Sequence, residues 1–285
     1  MHVRTAHDYK LAITSTRQEG RDGLSRYKTT QMFSLYRQVT VEAGRRAIAA
    51  WPVALSLVVY AVIVVAALIA FARLDFIGDL LVGFVVAACW SSYLELLSQA
   101  VAGSKIHIRW GDFKRTFLAR FWDVVSVMFA FWIISFVTTP LIRGPNGPAT
   151  AAVIGFAMAF FFNAVPELLY QGNSRSFALL IDSARFMFRF PVAWLLPNVL
   201  FAALGLFAAG RLHVKHPAEL LILFGSTFSS PLGVAGIFTG LPLWALPIAL
   251  FVLHYAMIFR GVLYRELVSG GGNTRLRAFQ AKMRG

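Results

Sequence analysis

Ile48-Ala-Ala-Trp51-Pro52-Val-Ala-Leu-Ser-Leu-Val-Val-Tyr60-Ala-Val-Ile-Val-Val-Ala-Ala-Leu-Ile-Ala70-Phe-Ala72 runs for 25 residues without a charged side chain. A helix crossing a bilayer needs about 20 mostly apolar residues, so this run predicts a transmembrane helix. Pro52 falls in its first turns, where a missing N–H costs least. Five further runs follow: Phe76 to Val101, Phe121 to Ile142, Ala149 to Tyr170, Val192 to Ala209 and Leu241 to Phe259. The whole chain agrees with them. It is 58% hydrophobic, with a mean hydropathy of +0.66 and 14% charged residues, whereas soluble domains carry roughly 25% charged residues. Leu220 to Thr239 is also apolar but interrupted by Gly, Ser and Pro. Irregular backbone at membrane depth is tolerated where protein buries it or a wet cavity is lined by it, so this stretch reads as a periplasmic re-entrant or interfacial pair.

Charge orients the threading. Of the 27 Lys and Arg, only Arg73, Arg143, Arg211 and Lys215 fall on one side of the six runs; the others fall before the first run, between the second and third, between the fourth and fifth, and after the sixth. This is the positive-inside pattern. It predicts both termini in the cytoplasm of a bacterial inner membrane. The first run serves as its own insertion signal, because the polar, basic residues before it contain no short apolar core or cleavage site. A net charge of +14 could suit nucleic acid, but no stretch interleaves basic and stacking aromatic residues as such surfaces require. Nucleic acid is therefore excluded as a partner, and anionic lipid of the inner leaflet is the expected one. The single cysteine, Cys89, rules out an internal disulfide.

The polar segments have their own order. Residues 1–32 read as a cytoplasmic arm, 33–268 as a six-helix membrane domain, and 269–285 as a glycine hinge with a basic amphipathic tail. Phe33, Tyr36, Val39 and Ala43 recur at helical spacing, as do Phe113, Phe117 and Phe121, and again Phe177, Leu180, Ile181 and Ala184. Each set predicts an amphipathic cytoplasmic helix leading into a crossing. Arg46-Ala-Ile-Ala-Ala-Trp-Pro52-Val-Ala matches Arg185-Phe-Met-Phe-Arg-Phe-Pro191-Val-Ala, and Glu95-Leu-Leu-Ser-Gln99 matches Glu167-Leu-Leu-Tyr-Gln171 and, more loosely, Glu266-Leu-Val-Ser-Gly270. These likenesses suggest a threefold hairpin repeat. In the tail, Arg275, Arg277, Lys282 and Arg284 lie beside Leu276, Phe279 and Met283, which suits a helix lying on lipid or docking on a partner.

Glu95 and Glu167 stand out as candidate functional residues. An acid at the centre of a membrane helix costs roughly 3 kcal/mol on insertion scales, and such residues face a bundle interior and find partners. Glu95 with Gln99, and Glu167 with Gln171, share a face one turn apart, with Asn163 a turn before Glu167. Arg45, Arg46, Arg120, Arg185 and Arg189 enter at the same depth and are the candidate ion-pair partners. Two readings stay open: a polar vestibule or proton or ion pathway, and structural ion pairs that clamp helix ends. Asp123 reads as structural, and Asn163 and Asn198 as hydrogen-bonding glue between helices. His213 and His216 have helical metal-pair spacing but no third ligand, and His254 reads as a packed histidine.

No His-Glu-x-x-His, Gly-x-Ser-x-Gly or phosphate-binding glycine loop occurs. Neither an enzyme nor a cofactor is expected. The stretch from Pro166-Glu167 through Gly172-Asn-Ser-Arg-Ser-Phe177 to Ser183-Ala-Arg185 resembles the corresponding part of the six-helix membrane domain found beside some bacterial glycerophosphodiesterases, and of related membrane proteins. An N-terminal interfacial helix, six crossings and the apolar stretch before the last one also resemble ABC-type exporter permeases, although the segment after the second crossing is basic where those carry an acidic coupling motif. The fold expected is an all-α integral membrane bundle of about six transmembrane helices, N-in and C-in, with three amphipathic cytoplasmic helices and the re-entrant stretch. The function expected is that of a non-enzymatic subunit of a transport or membrane-assembly system, working with other protein subunits. The alternatives are an exporter permease served by a separate cytoplasmic ATPase, and a self-contained ion- or proton-coupled carrier.

Overall fold

The computed structural model describes residues 32–103, 118–144, 146–172, 177–208 and 246–268. The chain forms two compact units, 1–42 and 43–285. The described part of the first, 32–42, is helical and forms α1; in it Val39 is buried and Phe33 exposed.

The second unit is helical throughout its described elements: α2 (Trp51–Phe71), α3 (Asp75–Ala102), α4 (Phe121–Ile142), α5 (Gly147–Phe161), α6 (Val165–Gln171), α7 (Phe177–Arg189), α8 (Pro191–Ala208) and α9 (Leu246–Val268). Prolines mark several starts. Pro52, Pro148 and Pro166 occupy the first turns of α2, α5 and α6, where the absent N–H has no intrahelical partner to lose. The α2–α3 turn is tight, and Asp75 takes φ 42°, a left-handed conformation that Asp tolerates better than most residues. Gly103 ends α3 at φ 83°, its N–H donating to Ala100 and Gln99. A left-handed C-cap of this kind favours glycine.

Among the described residues, five helical stretches are long and apolar enough to cross a membrane: Trp51–Phe71, Asp75–Ala102, Phe121–Ile142, Gly147–Gln171 (α5 and α6 together) and Pro247–Val268. α8 is apolar but shorter over its described side chains. α3 is the hub, packing against α2, α4, α6 and α9; α9 also meets α2, α6 and α8, and α7 lies against α4, α5, α6 and α8. The core lies in the second half of α3, in α6 and in the body of α9. The outward surfaces are apolar. α2 exposes Leu55, Val58, Val62, Val65 and Ile69, and α4 exposes Trp122, Phe129, Trp132, Phe136 and Val137. A water-soluble monomer rarely exposes apolar surface so continuously, whereas a bilayer is its natural solvent.

One predicted boundary changes. The fourth run is two helices: a turn at Phe162, Asn163 and Ala164 separates α5 from α6. Pro166 explains the break, since its ring clashes with the carbonyl four residues back, that of Phe162. The last helix runs beyond the apolar run that ends at Phe259 and stops at Val268, just before the glycine hinge that begins at 269. Arg260 therefore lies inside it, where a carboxylate compensates its charge. The residues at 104–117, 209–245 and 269–285 lie outside the described residues. They include Phe113, Phe117, His213, His216, the stretch 220–239, and the tail residues Arg275, Arg277, Phe279, Lys282 and Arg284.

Candidate functional site

The break between α5 and α6 brings a cluster of buried polar side chains together. Glu167, in the first turn of α6, is fully buried, and Arg260, on α9, is 1% exposed. Arg260 Nε donates to Glu167 Oε1 at 2.7 Å and its NH2 to Oε2 at 2.8 Å. This two-pronged pairing matches the guanidinium fork to the carboxylate plane. NH2 also donates to the carbonyl of Asn163, in the turn. The Asn163 side chain accepts from Trp194 Nε1 at 2.8 Å, and the guanidinium carbon lies 5.2 Å from the Trp194 ring centroid, within cation–π range. Trp194 is itself fully buried, edge-on to Phe186. Asn198, one turn further along α8, donates to the Trp194 carbonyl. One charge pair thus ties α6, α8 and α9 to a single turn.

α7 covers that turn. Ser183 Oγ donates to the Phe161 carbonyl at 2.7 Å, one of the carbonyls at the end of α5 where the regular ladder stops. Phe186 packs against both Trp194 and Tyr264.

A second clamp surrounds Glu95. Arg120, just before α4, donates from Nε to Glu95 Oε2 at 3.0 Å, with both side chains about three-quarters buried. Its NH1 and NH2 donate to the carbonyls of Leu169 and Tyr170, in the last turn of α6. A cation is favourable at a helix C-terminus, where unpaired carbonyls concentrate negative potential. The Arg120 backbone N–H also donates to Ser91 Oγ. Nearby, Gln171 Nε2 donates to the Gly261 carbonyl at 2.9 Å and Arg265 to the Val101 carbonyl at 3.1 Å. The Arg46 guanidinium lies beside Gly103. Gly261 fits because α9 passes very close here: a Cβ on it would sit 2.3 Å from the Tyr170 hydroxyl and 2.6 Å from Val101.

The residues singled out in the sequence separate accordingly. Glu95 meets Arg120, one of the five arginines nominated. Glu167 and Asn163 meet Arg260 and Trp194, which the sequence did not nominate. Arg185 pairs with Asp182 at 3.2 Å on an exposed surface, and Arg189 lies over Phe190. Arg45 is exposed, Gln99 is half-buried and His254 is fully buried. Asp123 falls in the first turn of α4, where the helix dipole favours an acid. Trp194 carried a possible signal, as an indole near a buried asparagine. Arg260 carried no signal, since it follows directly on the apolar run that ends at Phe259.

Both carboxylates are engaged by guanidinium groups that at the same time bond to backbone carbonyls. Such an arrangement fixes helix ends and turns. Among the described residues no three His, Cys, Asp or Glu side chains converge as a metal site. No protein-family model, curated protein or solved structure matches the chain.

Proposed function

We propose that this chain is a non-enzymatic integral membrane subunit of a transport or membrane-assembly system, threaded six times through a bacterial inner membrane with both ends in the cytoplasm. α8 would be the sixth crossing, pairing with α9 as α2 pairs with α3. The charge asymmetry of the sequence supports the orientation. The observation that carries the role is the fate of the two membrane acids. Glu95 and Glu167 are each held by an arginine that also bonds to backbone carbonyls, which suits a rigid frame better than a path for ions. The broad apolar faces of α2 and α4 suit lipid and neighbouring membrane subunits.

Extraction in a mild detergent, followed by mass spectrometry of what co-purifies, tests this. Other membrane chains in stoichiometric amount support a subunit role. A soluble ATPase identifies an exporter permease instead. A chain that purifies alone, and stays alone after crosslinking in intact cells, contradicts the subunit reading.

A further inference from the structure

α7 carries opposed chemistry around its circumference. At about 100° per residue, Phe177, Ile181 and Phe188 fall within about 40° of arc, and Arg185 and Arg189 fill the sector beside them. The buried residues Leu179, Ser183, Phe186 and Met187 lie on the far side. The three outer apolar side chains are 57%, 54% and 70% exposed. The Ser183 bond to Phe161 and the Phe186 contacts with Trp194 and Tyr264 fix the rotation of the helix, so this stripe is held outward. Going round the helix, the order is therefore protein, apolar stripe, arginines, protein.

We propose that the outer face of α7 is a docking surface for anionic phospholipid, an inference that rests on the membrane reading above. The stripe inserts among the upper acyl chains, and Arg185 and Arg189 meet headgroup phosphates. Charge complementarity selects this occupant: the sector beside the stripe carries two guanidinium groups against one carboxylate, Asp182. The Arg185–Asp182 pair, with Arg185 76% exposed, is of the kind that contributes little to stability, so Arg185 exchanges it for a phosphate at little cost. Long arginine side chains reach from an apolar stem to a polar layer in this way. α7 also stands directly between α6 and α8, and its last residue, Arg189, is two positions before Pro191, which opens α8.

The test uses the full chain with Cys89→Ala and a nitroxide attached at Phe188→Cys, reconstituted in phosphatidylcholine with and without phosphatidylglycerol. A second sample carries the nitroxide at Phe136→Cys on α4. Collision with oxygen reports lipid, and collision with a water-soluble nickel chelate reports water. Docking predicts a label at 188 that favours oxygen more strongly when phosphatidylglycerol is present. It also predicts that Arg185→Gln with Arg189→Gln abolishes that increment. A label at 188 reached freely by the chelate, or shielded from both reagents, overturns docking, as does an oxygen preference indifferent to phosphatidylglycerol. If the label at 136 is also reached by the chelate, the membrane reading itself fails. A lipid-buried 136 beside a wet 188 overturns the docking surface alone.

Discussion

Replacing Glu167 by glutamine keeps the side-chain volume and removes the charge on which two Arg260 nitrogens converge at 2.7 and 2.8 Å. The amide can accept one of these bonds, but its NH2 group then faces a guanidinium that no longer has a counter-charge. Hydrogen bonds to charged groups contribute about 1.5–3 kcal/mol each, and removing one partner of a buried pair costs about 3–5 kcal/mol because the other charge is stranded. Both side chains are at most 1% exposed, so solvent offers no relief. Glu167→Gln is expected to destabilise by about 3 kcal/mol or more, and Arg260→Met by a similar amount. The double variant Glu167→Leu, Arg260→Met strands no charge and is expected to regain most of that loss. It keeps a deficit of about 1 kcal/mol for the lost bond to the Asn163 carbonyl. Unfolding in mixed micelles of dodecyl sulfate and a mild detergent, followed by far-ultraviolet circular dichroism, measures the cycle. Single variants within about 0.5 kcal/mol of the parent, or effects that simply add, would refute the pair as a clamp.

Gly261→Ala should destabilise by about 1–3 kcal/mol through overpacking, since its Cβ would sit 2.3 Å from the Tyr170 hydroxyl; adding Tyr170→Phe should recover part of the loss in the same unfolding assay. Arg120→Lys should lower the melting temperature almost as far as Arg120→Met, because three separate guanidinium nitrogens serve Glu95 and the two carbonyls and a lysine offers its three N–H from a single nitrogen; a lysine variant with the parent's melting temperature would contradict this. Trp194→Phe removes the donor to Asn163 and should cost about 1–3 kcal/mol for the unpaired amide oxygen, read out by thermal unfolding in detergent.

Much of the bundle was legible because lipid imposes a simple rule on composition. The uncharged run 48–72 and the spacing of Phe177, Leu180 and Ile181 both appear as helices close to their predicted limits. Glu95 and Arg120, one of the five arginines nominated, form an ion pair; both lie near the ends of predicted helices on the same side. The site around Glu167 was legible only in part. Its acid was conspicuous, but its partner lies 93 positions away, and no local pattern encodes such a distance. Arg260, directly after the apolar run that ends at Phe259, reads as a charge beyond the crossing, since an isolated arginine at membrane depth is unfavourable; its pairing with Glu167 places it in the buried core instead. The break at Asn163 had a local cause in Pro166. An asparagine and a proline in one apolar run are equally compatible with a tolerated kink, so the separation into two helices emerged only from the packing of α7 and α9 against the turn.

The reading of Glu95 and Glu167 as structural is tested most directly by flux. The purified chain is reconstituted into vesicles carrying an internal pH indicator, and a proton gradient is imposed with valinomycin and potassium to set the potential. With both acids held in arginine clamps, proton entry should match that of empty vesicles across either polarity of potential. A flux above that baseline, lost in Glu95→Gln or Glu167→Gln proteins that still fold and insert, would contradict the structural role and make the same residues a conduction path.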